Sequence, residues 1–103
     1  MTPELRAALA LLEKTVIDGP GTTSPAQRRA AADGQADASP LGRYLEQVRT
    51  GAYRVTPEAV EALRAAGHAD DALFELTIAA ALGEARRQLD AGLAAVAKAW
   101  EDA

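Results

Sequence analysis

The chain has 103 residues and no cysteine; this is the length of one domain, and it excludes disulfides, thiolate catalysis and cysteine-ligated metal. Hydrophobic residues make up 49% and charged residues 25%, a globular and not a disordered balance. The net charge is −4, with six basic and six acidic side chains in residues 1–50 and five basic and nine acidic in residues 51–103; the absence of a basic stripe argues against nucleic acid and against an anionic membrane.

Four hydroxyl–proline pairs punctuate the chain: Thr2-Pro3, Ser24-Pro25, Ser39-Pro40 and Thr56-Pro57. A hydroxyl at N-cap satisfies a free amide, and proline at the first helical position loses no bond, so each pair predicts a helix start. Glu4 and Glu58 then complement the positive end of the helix dipole. The first helix is expected from Pro3 to Ile17, with Leu5, Leu9, Leu12 and Val16 in one apolar stripe. A short polar helix follows from Pro25 to Asp33. The loop "DGQADASP" after it reads as mobile. A third helix spans Pro40 to Thr50, with Leu41, Tyr44, Leu45 and Val48 on one face. A fourth spans Pro57 to Ala66, uses Val60 and Leu63, and stops at Gly67, a natural left-handed residue.

The last helix is expected to begin at Asp70 as N-cap and to reach Trp100. Phe74, Ile78, Leu82, Ala85, Leu89, Leu93, Val96 and Trp100 recur at steps of three or four. About thirty residues at 1.5 Å each give roughly 45 Å, against a radius of gyration of about 13 Å for a compact chain of this length. Either one end overhangs and packs on another subunit, or the helix breaks at Gly83 or Gly92. The small run Ala79–Gly83 would let another helix approach closely. Alanine supplies 26 of the 50 hydrophobic residues; it favours helix but buries little area, so burial is expected to be completed by a homo-oligomer through this C-terminal helix.

The start "MTPELRAALALLEK" has an acid where a signal peptide needs a basic region, and no apolar run approaches the ~18 residues of a membrane span, so a cytoplasmic protein without membrane association is expected. The abundance of alanine and arginine with scarce lysine suggests a GC-rich bacterial genome.

Candidate chemistry is sparse. His68, the only histidine, lies near Asp70 and Asp71. A zinc site would need a third ligand from elsewhere, so no metal is expected. The alternative is that Gly67 and His68 end one helix while Asp71 sits in the first turn of the next. Glu75, among Phe74, Leu76 and Ile78, could be a partly buried general base, could pair with Arg54, Arg64, Arg86 or Arg87, or could point to solvent. Arg86 and Arg87 could hold an anionic ligand, or pair with Asp90 and Glu84 along the helix.

The segment "VEALRAAGHADDALFELTIAAALGEARRQLDAGLAAV", residues 60–96, resembles the second half of carboxymuconolactone decarboxylase-like domains, the superfamily of alkylhydroperoxidase D. The shared features are a helix ending in "AG", a capped helix start, then an alanine-rich helix; "RYLEQVRTGAYRVTPEAVEAL" extends the frame without a gap. The resemblance implies an all-α fold: a small orthogonal bundle of about five helices with a long C-terminal helix, in one domain over residues 1–103, with residues 1–38 as an N-terminal helical extension. It also implies homo-oligomers.

In the redox members of that family a Cys-x-x-Cys pair and a histidine would fall at Ala52, Val55 and Ala59, and an assisting glutamate near Pro40. None of these residues can relay a proton or form a disulfide. Tyr53 and Arg54, between the former cysteines, could bind something polar together with Val55 and His68, or could simply cover a turn. The family resemblance therefore implies a catalytically silent, non-peroxidase oligomeric scaffold for protein interaction or small-ligand binding, without cofactor. The alternative is a cofactor-independent, non-redox enzyme of the carboxymuconolactone decarboxylase type. His68 would be its general base, with Arg54 or Arg86 holding a substrate carboxylate. A third reading is an assembly partner for a redox enzyme.

Overall fold

The computed structural model describes residues 2–35 and 37–102. Among these residues there are five α-helices, one 3-10 turn and no strand: α1 (Pro3–Asp18), α2 (Pro25–Ala32), α3 (Pro40–Gly51), η1 (Ala52–Arg54), α4 (Pro57–Ala65) and α5 (Asp70–Asp102). All four hydroxyl–proline pairs start helices. The side chains of Thr2, Ser24, Ser39 and Thr56 accept from the backbone amides of Leu5, Gln27, Gly42 and Ala59. At α2 the cap is reciprocal, because the Gln27 side chain accepts from the Ser24 amide at 2.9 Å, which satisfies a second free donor. In the loop after α2, Gly34 adopts the left-handed backbone (φ 75°). The mobility expected of that loop falls partly on Ala36, which lies outside the described residues.

Gly67 (φ 102°) ends α4 as the sequence requires. Its amide donates to Arg64 O at 3.0 Å, and the His68 amide donates to Leu63 O at 3.1 Å. This pair of bonds is the Schellman closure of a helix C-terminus. One expectation fails here: Asp70 is the first residue inside α5 and not its cap. The first intrahelical carbonyl belongs to Ala69, which accepts from Leu73 N. The Asp70 carboxylate is drawn instead to Arg64 Nε at 2.7 Å.

α5 runs unbroken through Gly83 and Gly92 for 33 residues, about 50 Å at 1.5 Å per residue. The molecule is correspondingly elongated, with extents of 55 × 29 × 20 Å and a radius of gyration of 15.9 Å. No helix of the described residues is long and apolar enough to cross a membrane.

The core lies between α2, α3 and the first half of α5. Ile17, Ala31, Ala32, Leu45, Leu76, Ala79 and Ala80 form it, with Val16, Leu41, Tyr44 and Val48 packed against them. Ala79 and Ala80 have no exposed surface, because α2 approaches α5 so closely that only small residues fit. Gly83 shows the limit: a Cβ there would collide with the carbonyl oxygen of Ala32.

Buried helix ends leave carbonyls in need of donors, and arginines supply them. Arg49 donates to Ala31 O at 3.3 Å and Arg87 to Ala32 O at 2.7 Å, placing positive charge at the negative end of α2. Arg28 does the same for α1 and the following loop, through Val16 O at 2.9 Å and Thr23 O at 3.2 Å. Tyr44 and Thr77 join α3 to α5 through their hydroxyls, 2.8 Å apart.

Candidate functional site

His68 occupies the turn between α4 and α5, half-buried, as the residue after the glycine of the helix stop. Its placement follows from that backbone closure. Tyr53, Arg54 and Val55 sit on η1 and the residue after it, at the end of α3. Tyr53 is 88% exposed, and the Arg54 guanidinium lies 5.6 Å from its ring centroid, a cation–π pair facing solvent. Among the described residues no hydrogen bond joins Tyr53, Arg54 or Val55 to His68. Pro40 and Ala59 line one groove of about 330 Å³ between α3 and α4, together with Tyr44 and Leu63. That groove is walled mostly by alkyl and aromatic carbon, with Arg43 and Gln47 as its polar members and no acid or histidine. Ala52 is exposed.

Glu75 departs from these expectations: it neither pairs with an arginine, nor points free into solvent, nor stands ready as a base. The loop before α2 closes over it. Thr22 donates to Oε2 through its amide at 2.9 Å and its hydroxyl at 2.7 Å. Thr23 donates to Oε1 through its amide at 3.0 Å and its hydroxyl at 2.8 Å. Four donors favour the ionised form and hold the carboxyl down at about 2, the two backbone amides contributing most. A carboxylate this acidic is a poor proton acceptor near neutrality, and its oxygens are already occupied. The clasp was not visible in the sequence; the only trace of it is the pair of threonines in "GPGTTSP".

Arg86 and Arg87 are likewise engaged. Arg86 bridges Glu13 of α1 at 2.6 Å and Asp90 at 3.0 Å; Arg87 pairs with Glu84 at 3.0 Å and reaches the Ala32 carbonyl. The Asp90 and Glu84 pairings follow the helical spacing. Glu13 comes from 73 residues away, and its ion pair fixes α1 antiparallel along α5. Among the described residues, His, Asp and Glu form no group of three able to hold a metal ion.

The conspicuous feature is apolar. On α5 the inward face carries Leu73, Leu76, Ala79, Ala80 and Gly83, whereas the stripe legible in the sequence is turned largely outward. Phe74 is 67% exposed, Val96 44% and Trp100 77%, and Ile78 and Leu89 are exposed as well. On α1, Leu5 and Leu12 are also exposed. At the Phe74 end this surface dips into a groove of about 250 Å³ lined by Val16, Pro20, Arg28, Phe74 and Ile78. The exposed parts of these side chains together come to on the order of 700 Å².

Comparison with protein-family models, with curated proteins and with solved structures returned no match for this chain. The geometry alone defines a class: an all-helical protein in which Glu75, Arg86 and Arg87 are committed to internal bonds and large apolar side chains of α1 and α5 stand exposed.

Proposed function

We propose that this chain is a catalytically silent helical scaffold, built on an alkylhydroperoxidase D-like frame and working by protein association through the apolar face of α1 and α5. The observation that carries the reading is the exposure of Phe74, Leu89, Val96 and Trp100 along one helix, in a molecule whose Glu75, Arg86 and Arg87 are already engaged. The kinship rests on the α4–Gly67–α5 junction and on the frame of residues 60–96. The absence of cysteine removes thiol peroxidase chemistry from that frame.

Protein association is favoured over small-ligand binding because the free apolar surface lies on α1 and α5 and not around Tyr53, Val55 and His68. No geometric feature favours a hydrolytic or decarboxylating role for His68.

Two measurements test the reading. Purified protein is expected to consume no peroxide; turnover without added cofactor would overturn the proposal. A dye that fluoresces on apolar surface is expected to bind the dilute native protein, and a Leu89→Glu, Val96→Glu variant is expected to lose that binding with its helical circular dichroism intact. Unchanged dye binding in the variant would remove the face from its proposed role.

A further inference from the structure

The stripe on α5 has a property that its hydrophobicity does not require: it is nearly self-complementary on reversal. Phe74 and Trp100 each lie thirteen residues from position 87, Ile78 and Val96 each lie nine, and Ala85 and Leu89 each lie two. An aromatic ends the stripe on either side, a β-branched residue stands next to it, and a small residue faces a large one at the middle. A two-fold interface demands this pattern, since residue i must contact j while j contacts i.

We infer that the occupant of the face is a second copy of this chain, its α5 crossing antiparallel about position 87 so that Phe74 of one protomer meets the partner's Trp100. The inference rests on the scaffold reading above and supplies its partner.

Area supports it: roughly 700 Å² of exposed hydrocarbon approaches the ~800 Å² per partner of a standard stable interface. So does shape. The groove beside Phe74, walled by Val16, Pro20 and Ile78 with Thr15, Arg28 and Glu75 at its polar side, has a volume of about 250 Å³, while Trp100 is exposed at the far end of the same stripe. The antiparallel crossing brings an exposed indole to an open apolar groove twice, once at each end, and desolvated aromatic anchors of this kind carry most of the energy of an interface.

Charge does not oppose the contact. Arg86 is tied to Glu13 and Asp90, and Arg87 to Glu84 and the Ala32 carbonyl. Arg28 and Glu75, which line the groove beside Phe74, are likewise held, Arg28 by the carbonyls of Val16 and Thr23 and Glu75 by the amides of Thr22 and Thr23. Nothing lies within 4 Å of the Cβ position of Gly92, which leaves room for a neighbouring helix.

Because the chain lacks cysteine, introduced thiols report the register without background. Equal amounts of F74C and W100C protein are mixed and oxidised gently, and each is also oxidised alone. A disulfide needs Cα atoms within about 7 Å; in the proposed dimer the two copies of position 74 lie about 39 Å apart at 1.5 Å per residue. The expected result is rapid formation of the mixed dimer at a rate at least tenfold above that of either homodimer. Homodimers forming as fast as the mixed species would overturn the register.

The unmodified chain supplies a second readout, because substituting Phe74 or Trp100 weakens the contact under study. Light scattering is expected to give twice the chain mass at micromolar concentration, and the emission of Trp100, the sole tryptophan, is expected to shift to the blue as dilute protein is concentrated. A monomer mass at hundreds of micromolar overturns the inference while leaving the scaffold reading in place. Peroxide turnover by a dimer would do the reverse.

Discussion

The two halves of α5 share one helix and one composition, yet they live in different surroundings. Residues 70–87 press Leu73, Leu76, Ala79 and Ala80 against α2 and α3, whereas residues 88–102 leave every side chain but the half-buried Leu93 exposed. Positions 80 and 94 make the contrast sharp. Both are alanine, they stand on the same side of the helix fourteen residues apart, and Ala80 is fully covered while Ala94 is bare. Pattern on a helix sets which residues can be buried together; what lies alongside decides which of them are.

Substitutions should divide along the same line. Leu76→Ala, in the covered half, removes a core side chain and is expected to cost about 3 kcal/mol in denaturant unfolding. Gly83→Ala is expected to cost about 2 kcal/mol, because the new methyl meets the Ala32 carbonyl and the backbones must part. A neutral result at either position would mean that α2 does not hold α5 as closely as described.

Glu75→Gln follows in size and carries a pH signature. The folded carboxyl titrates at about 2, below the ordinary value of 4.5. A group whose folded value is depressed adds stability that is complete above its unfolded value and is lost as pH falls through the folded one. The native protein is therefore expected to lose the benefit of the clasp between about pH 4.5 and 2. The variant should melt earlier than the native chain at pH 7 and approach it at pH 2. An equal difference in melting temperature at both pH values would show that the Thr22–Thr23 clasp contributes nothing through ionisation.

Gly92→Ala, in the bare half, is expected to stabilise the fold by about 0.5–1 kcal/mol, since a helical glycine is entropically costly and the position is open. It reverses the sign expected at Gly83. Ala94→Ser should change unfolding by less than ~0.5 kcal/mol, against a larger loss for Ala80→Ser, whose hydroxyl must enter a closed site.

Much of the architecture was readable because it is locally encoded. The hydroxyl–proline pairs mark helix starts through bonds made within three residues, and Gly67 marks a stop through its own backbone. The inward face of α5 was not readable. Phe74, Ile78, Leu89 and Val96 give the louder periodic signal, whereas burial went to Ala79, Ala80 and Gly83 because α2 comes too close for anything larger. Hydrophobicity measures what a residue gains from cover; it does not measure how near a neighbouring backbone can come. Asp70 departs from its expected capping role for a related reason, since Arg64 offers its carboxylate a charged partner that a cap would not. The environment of Glu75 was equally hidden, for its donors lie 52 and 53 residues away.

The unbroken course of α5 has a mechanical consequence. From Gly83, where α2 grips it, to Trp100 is seventeen residues, a stiff lever of about 25 Å at 1.5 Å per residue. Tilting the grip by ten degrees would swing the indole through roughly 4 Å, about the spacing of two packed side chains. Small adjustments at the glycine hinge-pin are thus amplified at the tip, so the accuracy with which a partner is met out there is set by how tightly the backbone is clamped near the base.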